Sequence, residues 1–135
     1  MMKKSLIILA VLIFSAFSVN KIFAQKTERI IFKRGTRSAV AVGNLNNYKD
    51  RKVFIIRVRK GQTLKTEQSS NDSTNHYITV SIIAPNGENV GDSDASCNNR
   101  KEITPTQAGD YRIEVYECMK ADAWRGNFKL KVRVE

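Results

Sequence analysis

The sequence predicts an all-β fold, an antiparallel β-sandwich of about seven or eight short strands. Segments that alternate apolar and polar residues recur along the chain, and turn motifs separate them at regular intervals. Segments with apolar residues at helical spacing are nearly absent. The clearest alternation is Asn127–Glu135, in which four apolar residues face one side of the strand. Short alternating strands of this kind bury one face each, which is the arrangement of a two-sheet sandwich.

The predicted strands can be placed in chain order. They are Arg29–Arg34, Ala39–Gly43, Arg51–Arg59, Thr63–Gln68, Ile78–Ile83, Tyr111–Glu117 and Asn127–Glu135. Arg51–Arg59 carries apolar residues on both sides of its first half, which predicts a central strand covered on both faces. Ala84–Gly87 is a strong turn motif, and the polar stretch Glu88–Arg100 is predicted to be mostly loop.

The N-terminus has the pattern of a secretory signal peptide. Lys3 and Lys4 precede the apolar run Ser5–Val19, and Ala24 marks the expected cleavage point. The apolar run has about 15 residues, against the ~20 that a membrane-spanning helix needs, which disfavours the alternative of a membrane anchor. Residues 1–24 are therefore predicted to be a signal peptide, and residues 25–135 a single domain. Cleavage removes three cations and no acidic residue, which lowers the net charge from +10 to +7.

Two cysteines, Cys97 and Cys118, lie in the exported part of the chain, where a disulfide is the default. If Glu102–Thr104 pairs with the strand that begins near Tyr111, the two cysteines face each other at or near the open end of that hairpin. The alternative is a bridge between the two sheets. A metal site is disfavoured because His76 is the single histidine.

The sequence lacks the usual catalytic motifs. It has one histidine, no serine elbow, no phosphate-binding loop and no glycine-rich dinucleotide turn. Asp92 and Asp94 could serve as an acid–base pair or as calcium ligands, but a solvated loop is the preferred interpretation. We expect no enzyme activity, no catalytic residue and no cofactor.

Basic residues on outward strand positions allow two interpretations. They are Arg57, Arg59, Lys60, Lys129, Lys131 and Arg133. The first interpretation is a soluble face that resists edge pairing. The second is attraction to an anionic partner such as an acidic protein cleft, a cell-wall polymer or a membrane surface. Nucleic acid is disfavoured, since the chain is exported and no aromatic residues alternate with the cations as a stacking platform requires.

The segment Met119–Gly126 connects two predicted strands and holds the only tryptophan. Trp124 beside Arg125 has the composition of an interface anchor on an exposed loop. The alternative is that Trp124 folds back and caps the sandwich.

Two stretches of the chain resemble a known family. The residues Phe32, Gly35, Ser38, Ala39, Gly43, Tyr48 and Lys60-Gly61-Gln62 match the opening pattern of the periplasmic inhibitors of g-type (goose-type) lysozyme. The stretch AGDYRIEV resembles the S-G-x-Y turn of bacterial lysozyme inhibitors, with Ala108 in the place of the serine. The resemblance covers nearly all of the mature chain. The same skeleton also resembles the pre-peptidase C-terminal β-sandwich.

The resemblance implies a function and a set of partner-binding residues. Gly109 and Tyr111 would shape the turn, with Tyr111 half buried, and Tyr48 would touch the partner. Arg125, with Lys120 and Trp124 nearby, would form a basic loop. The expected protein is a periplasmic or secreted inhibitor whose partner is lysozyme. The alternative is a binding module for cell-wall glycan or a protein partner.

Overall fold

The computed structural model describes residues 26–69, 78–91, 97, 99–118 and 126–135, which form eight strands in two sheets. The strands are β1 (Thr27–Arg29), β2 (Ser38–Leu45), β3 (Lys52–Val58), β4 (Leu64–Gln68), β5 (Ile78–Ile83), β6 (Arg100–Ile103), β7 (Gly109–Glu117) and β8 (Gly126–Val134). Within these ranges no helix is both long and apolar enough to cross a membrane. The predicted all-β sandwich is confirmed, and the predicted signal peptide lies outside the described residues.

Each sheet contains four strands. Sheet one has the order β1-β3-β7-β5, and sheet two has the order β2-β8-β4-β6. β1 and β3 run parallel, whereas the other paired strands are antiparallel. Neighbours in each sheet are mostly distant in sequence, so the sandwich depends on contacts between remote segments.

β3 is a central strand, as its sequence predicts. It lies between β1 and β7, and the consecutive residues Val53 and Phe54 are both 0% exposed. Successive side chains of a strand point to opposite faces. Both faces of the first half of β3 are therefore covered, and the charged residue Arg57 is exposed near its end.

The core lies between the sheets and follows the alternation of β7 and β8. On β8 the inward residues Phe128, Leu130, Val132 and Val134 are buried, and the lysines and arginine between them are exposed. Phe128 meets Phe54 of the facing sheet edge to face, with ring centroids 6.3 Å apart. Burying a large apolar side chain contributes roughly 1.5–3 kcal/mol, so these residues supply much of the stability.

The predicted first strand, Arg29–Arg34, is wrong in its bounds. β1 ends at Arg29, and the N–H of Ile30 makes one more bond, of 2.9 Å, to the carbonyl of Ile55. The chain then crosses from sheet one to sheet two. Ile30 and Phe32 pack partly buried against the core, while Ile31 between them is 78% exposed. The alternating residues after Arg29 therefore belong to a connector, which closes the side of the sandwich, and not to a strand.

The predicted pairing of Glu102–Thr104 with the strand near Tyr111 is also wrong. β6 pairs with β4 in sheet two, whereas β7 pairs with β3 and β5 in sheet one. The chain between β6 and β7 passes from one sheet to the other. Two strands that are close in sequence often form a hairpin. A strand nevertheless pairs where its apolar side chains can be buried against the core.

The predicted disulfide joins Cys97 and Cys118, which are 21 residues apart in sequence. Cys97 precedes β6 of sheet two, and Cys118 follows β7 of sheet one. The bond therefore ties the loop before β6 to the end of β7, and it does not close a hairpin, because β6 and β7 belong to different sheets. The N–H of Cys97 also donates to the hydroxyl of Thr79 on β5, at 2.8 Å.

Candidate functional site

The turn that leads into β7 is shaped by a glycine and a buried tyrosine. Gly109 has a φ of +137°, and a Cβ there would lie 2.9 Å from two atoms of Pro85. The hydroxyl of Tyr111 accepts a hydrogen bond of 2.9 Å from the N–H of Gln107. Tyr111 is 1% exposed rather than half buried, because this bond satisfies its hydroxyl within the turn. The tyrosine therefore holds the turn and presents almost no surface of its own.

The Lys60-Gly61-Gln62 turn is bonded to the loop that precedes β7. The hydroxyl of Thr106 donates to the carbonyl of Arg59 at 2.7 Å and accepts from the N–H of Gln62 at 3.0 Å. The backbone of Thr106 bonds to Gly61 and Gln62, each at 2.8 Å. Thr106 is 2% exposed, so water does not compete for these bonds. The turn and the loop before β7 are thereby held together at one end of the sandwich.

A shallow depression of about 540 Å³ lies beside this bonded pair of turns. Its lining residues are Arg57, Val58, Arg59, Lys60, Ala108 and Gly109. No carboxylate in the described part of the chain pairs with Arg59 or Lys60. Three cations around one concave surface make the depression a candidate for binding an anionic group.

Asp110, the residue after Gly109, joins two strands of sheet one. Its two carboxylate oxygens accept bonds of 2.9 and 3.1 Å from the guanidinium of Arg29 on β1. Arg57 lies 3.9 Å away on β3. The hydrogen bond from Arg29 lowers the pKa of Asp110 below its usual value, and the charges of both arginines act in the same direction, against the opposing effect of desolvation.

This pKa shift predicts that β1 loosens in acid. Because the pKa of Asp110 is depressed in the folded protein, the pair stabilises the fold above the usual carboxyl pKa of about 4. That stabilisation is lost as the pH falls through the depressed value. We expect an NMR titration of the Asp110 carboxyl to give a midpoint below about 3.9. In parallel, the protection of the Ile30 amide, measured as its exchange rate relative to the intrinsic rate at the same pH, should fall at low pH, and in Asp110→Asn it should be low at every pH. A midpoint at or above about 3.9 would contradict the assignment.

Tyr48 lies on the turn between β2 and β3, and it is 55% exposed. The N–H of Asn46 donates to a carboxylate oxygen of Asp50 at 2.6 Å, and the N–H of Asp50 donates to the carbonyl of Asn47 at 3.0 Å. The N–H of Lys49 donates to the side-chain oxygen of Asn47 at 2.9 Å. An aromatic ring exposed on a turn with its own hydrogen bonds binds a partner with little loss of entropy.

Two of the sequence-predicted site residues, Tyr48 and Gly109, lie at opposite ends of the sandwich. The turn with Tyr48 precedes Lys52, the first residue of β3, whereas Gly109 pairs with Val58, the last residue of that strand. Six residue steps along a strand span about 20 Å. Tyr48 and Gly109 therefore belong to two separate surfaces.

The remaining predicted residues, Lys120, Trp124 and Arg125, lie outside the described residues. The described residues nearest to them in sequence are Cys118 and Gly126. Cys118 follows β7 beyond the point where Val115 pairs with Lys52, and Gly126 pairs with Leu45. Both flanking residues are at the end that carries Tyr48.

Comparison with solved structures shows which proteins share this fold. PliG of Aeromonas hydrophila, a periplasmic lysozyme inhibitor of g-type lysozyme, has a TM-score of 0.63 at 22% identity, with 82% of this chain and 96% of that chain covered. This chain has the PliG fold. PliG of Salmonella Typhimurium, also a periplasmic inhibitor of g-type lysozyme, has a TM-score of 0.58 at 19% identity, with 82% and 98% covered.

Other comparisons add little to the PliG likeness. A pre-peptidase C-terminal domain of a collagenase from Bacillus anthracis has a TM-score of 0.49 at 15% identity, with 82% of this chain and 96% of that domain covered. No protein-family model matches the chain, and no curated protein matches its sequence.

The sequence did not reveal that Arg29 belongs with the site residues. Arg29 and Asp110 are 81 residues apart, and only the parallel pairing of β1 with β3 brings them together. No local pattern marks a parallel pair between a three-residue strand and a distant one. Part of the depression was predictable, because the sequence places the cations Arg57, Arg59 and Lys60 on outward strand positions.

Proposed function

We propose that this protein is an exported inhibitor of g-type lysozyme, acting in the periplasm or after secretion. The observation that carries the proposal is the likeness of fold to solved inhibitors of g-type lysozyme over more than four-fifths of the chain. The motifs around Tyr48 and Gly109 support it independently, since they resemble those of the same inhibitors. Inhibition needs no chemistry by this chain, because blocking the substrate cleft is sufficient.

In this proposal, the end of the sandwich that carries Tyr48 contacts the enzyme. Tyr48 is exposed on an internally bonded turn, and Cys118 and Gly126, the described residues that flank Lys120, Trp124 and Arg125 in sequence, are at the same end of the sandwich. Tyrosine, tryptophan and arginine are the residue types that dominate binding energy at protein interfaces. A rigid sandwich would present them together to the lysozyme cleft.

The positive charge of the chain also favours contact with a lysozyme cleft. The active site of a glycosidase contains carboxylates, and an inhibitor with a net charge of +7 after signal removal is attracted to such a cleft. Arg125 would form charge-assisted hydrogen bonds to a carboxylate there. The association rate should consequently fall as salt is raised, since the long-range attraction is screened.

The cationic depression at the opposite end favours a second candidate function. Arg57, Arg59 and Lys60 surround a concave surface that does not include Tyr48. A binding module for anionic cell-wall polymer would use this surface and would need no lysozyme. Retention of the protein on purified cell walls, and its loss in Arg59→Ala, would support this candidate.

The deciding experiment is an inhibition panel. The exported protein would be titrated against g-type, c-type and i-type lysozymes in a cell-wall lysis assay at low and moderate salt. We expect stoichiometric inhibition of the g-type enzyme alone. Inhibition of another class would replace the proposed target. If a folded sample inhibits none of the three, the inhibitor proposal is wrong and the cell-wall candidate takes its place.

A further inference from the structure

β2 is the one sheet edge in the described part of the chain without any of the usual protection against pairing. β1 has only three residues, and β6 has four, three of them charged. β5 is covered at its end, where Asn89 bridges to Ile83 and the N–H groups of Val90 and Gly91 donate to the carbonyl of Ile82. β2 has eight residues, no charge and no proline, and among the described residues it pairs on one side only, with β8. Edge strands are normally shortened, charged or covered, so β2 departs from the rule.

The outward face of β2 is apolar as well as uncharged. Val40 is 55% exposed and Val42 is 56% exposed, and both point away from the core. Together with the unpaired backbone groups of the edge, these side chains form a surface suited to another β-strand.

The sequence of β2 is nearly the same in both directions around Ala41. Residues 39 to 43 read Ala-Val-Ala-Val-Gly. If two copies pair antiparallel about Ala41, Val40 of each lies directly opposite Val42 of the other on one face. The small residues Ala39 and Gly43 lie opposite each other on the inner face. A register centred on Val40 or Val42 would leave one of these valines facing Ser38 or Asn44, so the Ala41 register is the one that pairs both.

We propose that the exposed edge of β2 binds a second copy of this chain. The two β2 strands pair antiparallel about Ala41, which joins sheet two of each copy into one eight-stranded sheet with two-fold symmetry.

The charges of the two copies permit this contact at physiological salt. The paired strands carry no charge, and the nearest cations on the same face, Lys129, Lys131 and Arg133, are on β8. The two β8 strands would lie three strand spacings apart, about 14 Å. That exceeds the screening length of about 8 Å at physiological ionic strength. Raising the salt should therefore strengthen the association, which is opposite to the effect expected for lysozyme binding.

The size of the contact predicts a weak dimer. Eight residues span about 26 Å, and a sheet edge about 10 Å thick then buries on the order of 300 Å² per copy. Stable dimers usually bury about 800 Å² per partner, so the association should be visible only at high concentration.

Sedimentation velocity of the exported protein tests the proposal from roughly 10 μM to 1 mM, the range expected for a contact of this size. We expect a monomer–dimer equilibrium that shifts toward dimer between about 50 and 300 mM salt. Val40→Lys should weaken it at least about tenfold. Ile31→Lys adds the same charge at another exposed apolar residue and should leave it unchanged. A monomer throughout, or a dimer that Val40→Lys leaves intact, would overturn the proposal.

Cysteine crosslinking tests the register. An equimolar mixture of Val40→Cys and Val42→Cys proteins should form the mixed disulfide faster than either variant crosslinks to itself, because only unlike positions face each other. Preferential crosslinking of Val40→Cys to itself would contradict pairing about Ala41. These measurements contain no lysozyme, so their failure leaves the proposed inhibition untouched, and the reverse also holds.

Discussion

Replacing Tyr48 with alanine is expected to weaken inhibition of g-type lysozyme about 30-fold, which corresponds to about 2 kcal/mol. The ring is 55% exposed on a turn fixed by its own hydrogen bonds, so its loss removes contact area that costs little entropy to present. The substitution touches no buried group, and the stability of the protein should change by less than about 0.5 kcal/mol. Inhibition constants from the lysis assay, with unfolding curves of both proteins, measure the two effects.

Arg59→Ala is the control for this experiment, because Arg59 lies at the opposite end of the sandwich. It removes a long exposed side chain and one charge without approaching Tyr48. We expect its inhibition constant to stay within about threefold of the unmodified protein, since a distant charge acts mainly through screened attraction. If Arg59→Ala loses inhibition and Tyr48→Ala keeps it, the contact surface is the cationic depression instead.

Removing the disulfide is expected to cost about 3 kcal/mol of the free energy of unfolding. The bond between Cys97 and Cys118 closes a loop across 21 residues, and it ties the loop before β6 to the end of β7. Cys118 is 3% exposed, so the double replacement Cys97→Ala and Cys118→Ala also leaves unfilled space in a buried position. Domains of this size usually have 5–15 kcal/mol of stability, so the loss is a large share.

Urea unfolding measures this loss, with a slope fitted for each protein because removing the crosslink lets the unfolded chain expand. Tyr48→Ala is a suitable control, since it alters an exposed residue and should leave the midpoint nearly unchanged. Reduction of the unmodified protein should reproduce most of the effect of the double replacement. A loss below about 1 kcal/mol would mean that the packed core and the strand pairing hold the fold together with little help from the disulfide.

The strands with strict alternation were predictable, and those that depend on remote partners were not. β8 and β5 follow their sequences closely, because one face of each must be buried and a period of two marks that face. The segment after Arg29 alternates just as well, yet it forms a connector. Alternation reports which side chains face the core, and it does not report whether the backbone has a partner strand.

The residues of the candidate site were also predictable only in part. The role of Gly109 in a turn followed from local residues, since a turn motif specifies its own geometry, whereas Tyr48 was singled out through the family resemblance. The separation of these two residues to opposite ends depends on the register of β3 against β7, and no local pattern specifies it. The family resemblance implied a half-buried Tyr111. In the structure the N–H of Gln107 satisfies its hydroxyl within the turn, and the side chain is fully buried.

The parallel pairing of β1 with β3 determines how the protein should be attached to a surface. Thr27 pairs with Val53, so the chain enters the sandwich at the end that carries Tyr48. The last residue, Glu135, is bonded through its backbone to Thr63, beside the Lys60-Gly61-Gln62 turn at the other end. An affinity tag, a fluorophore or a sensor chip joined ahead of Lys26 would crowd the proposed lysozyme contact. The same attachment made after Glu135 would leave that contact facing the solution.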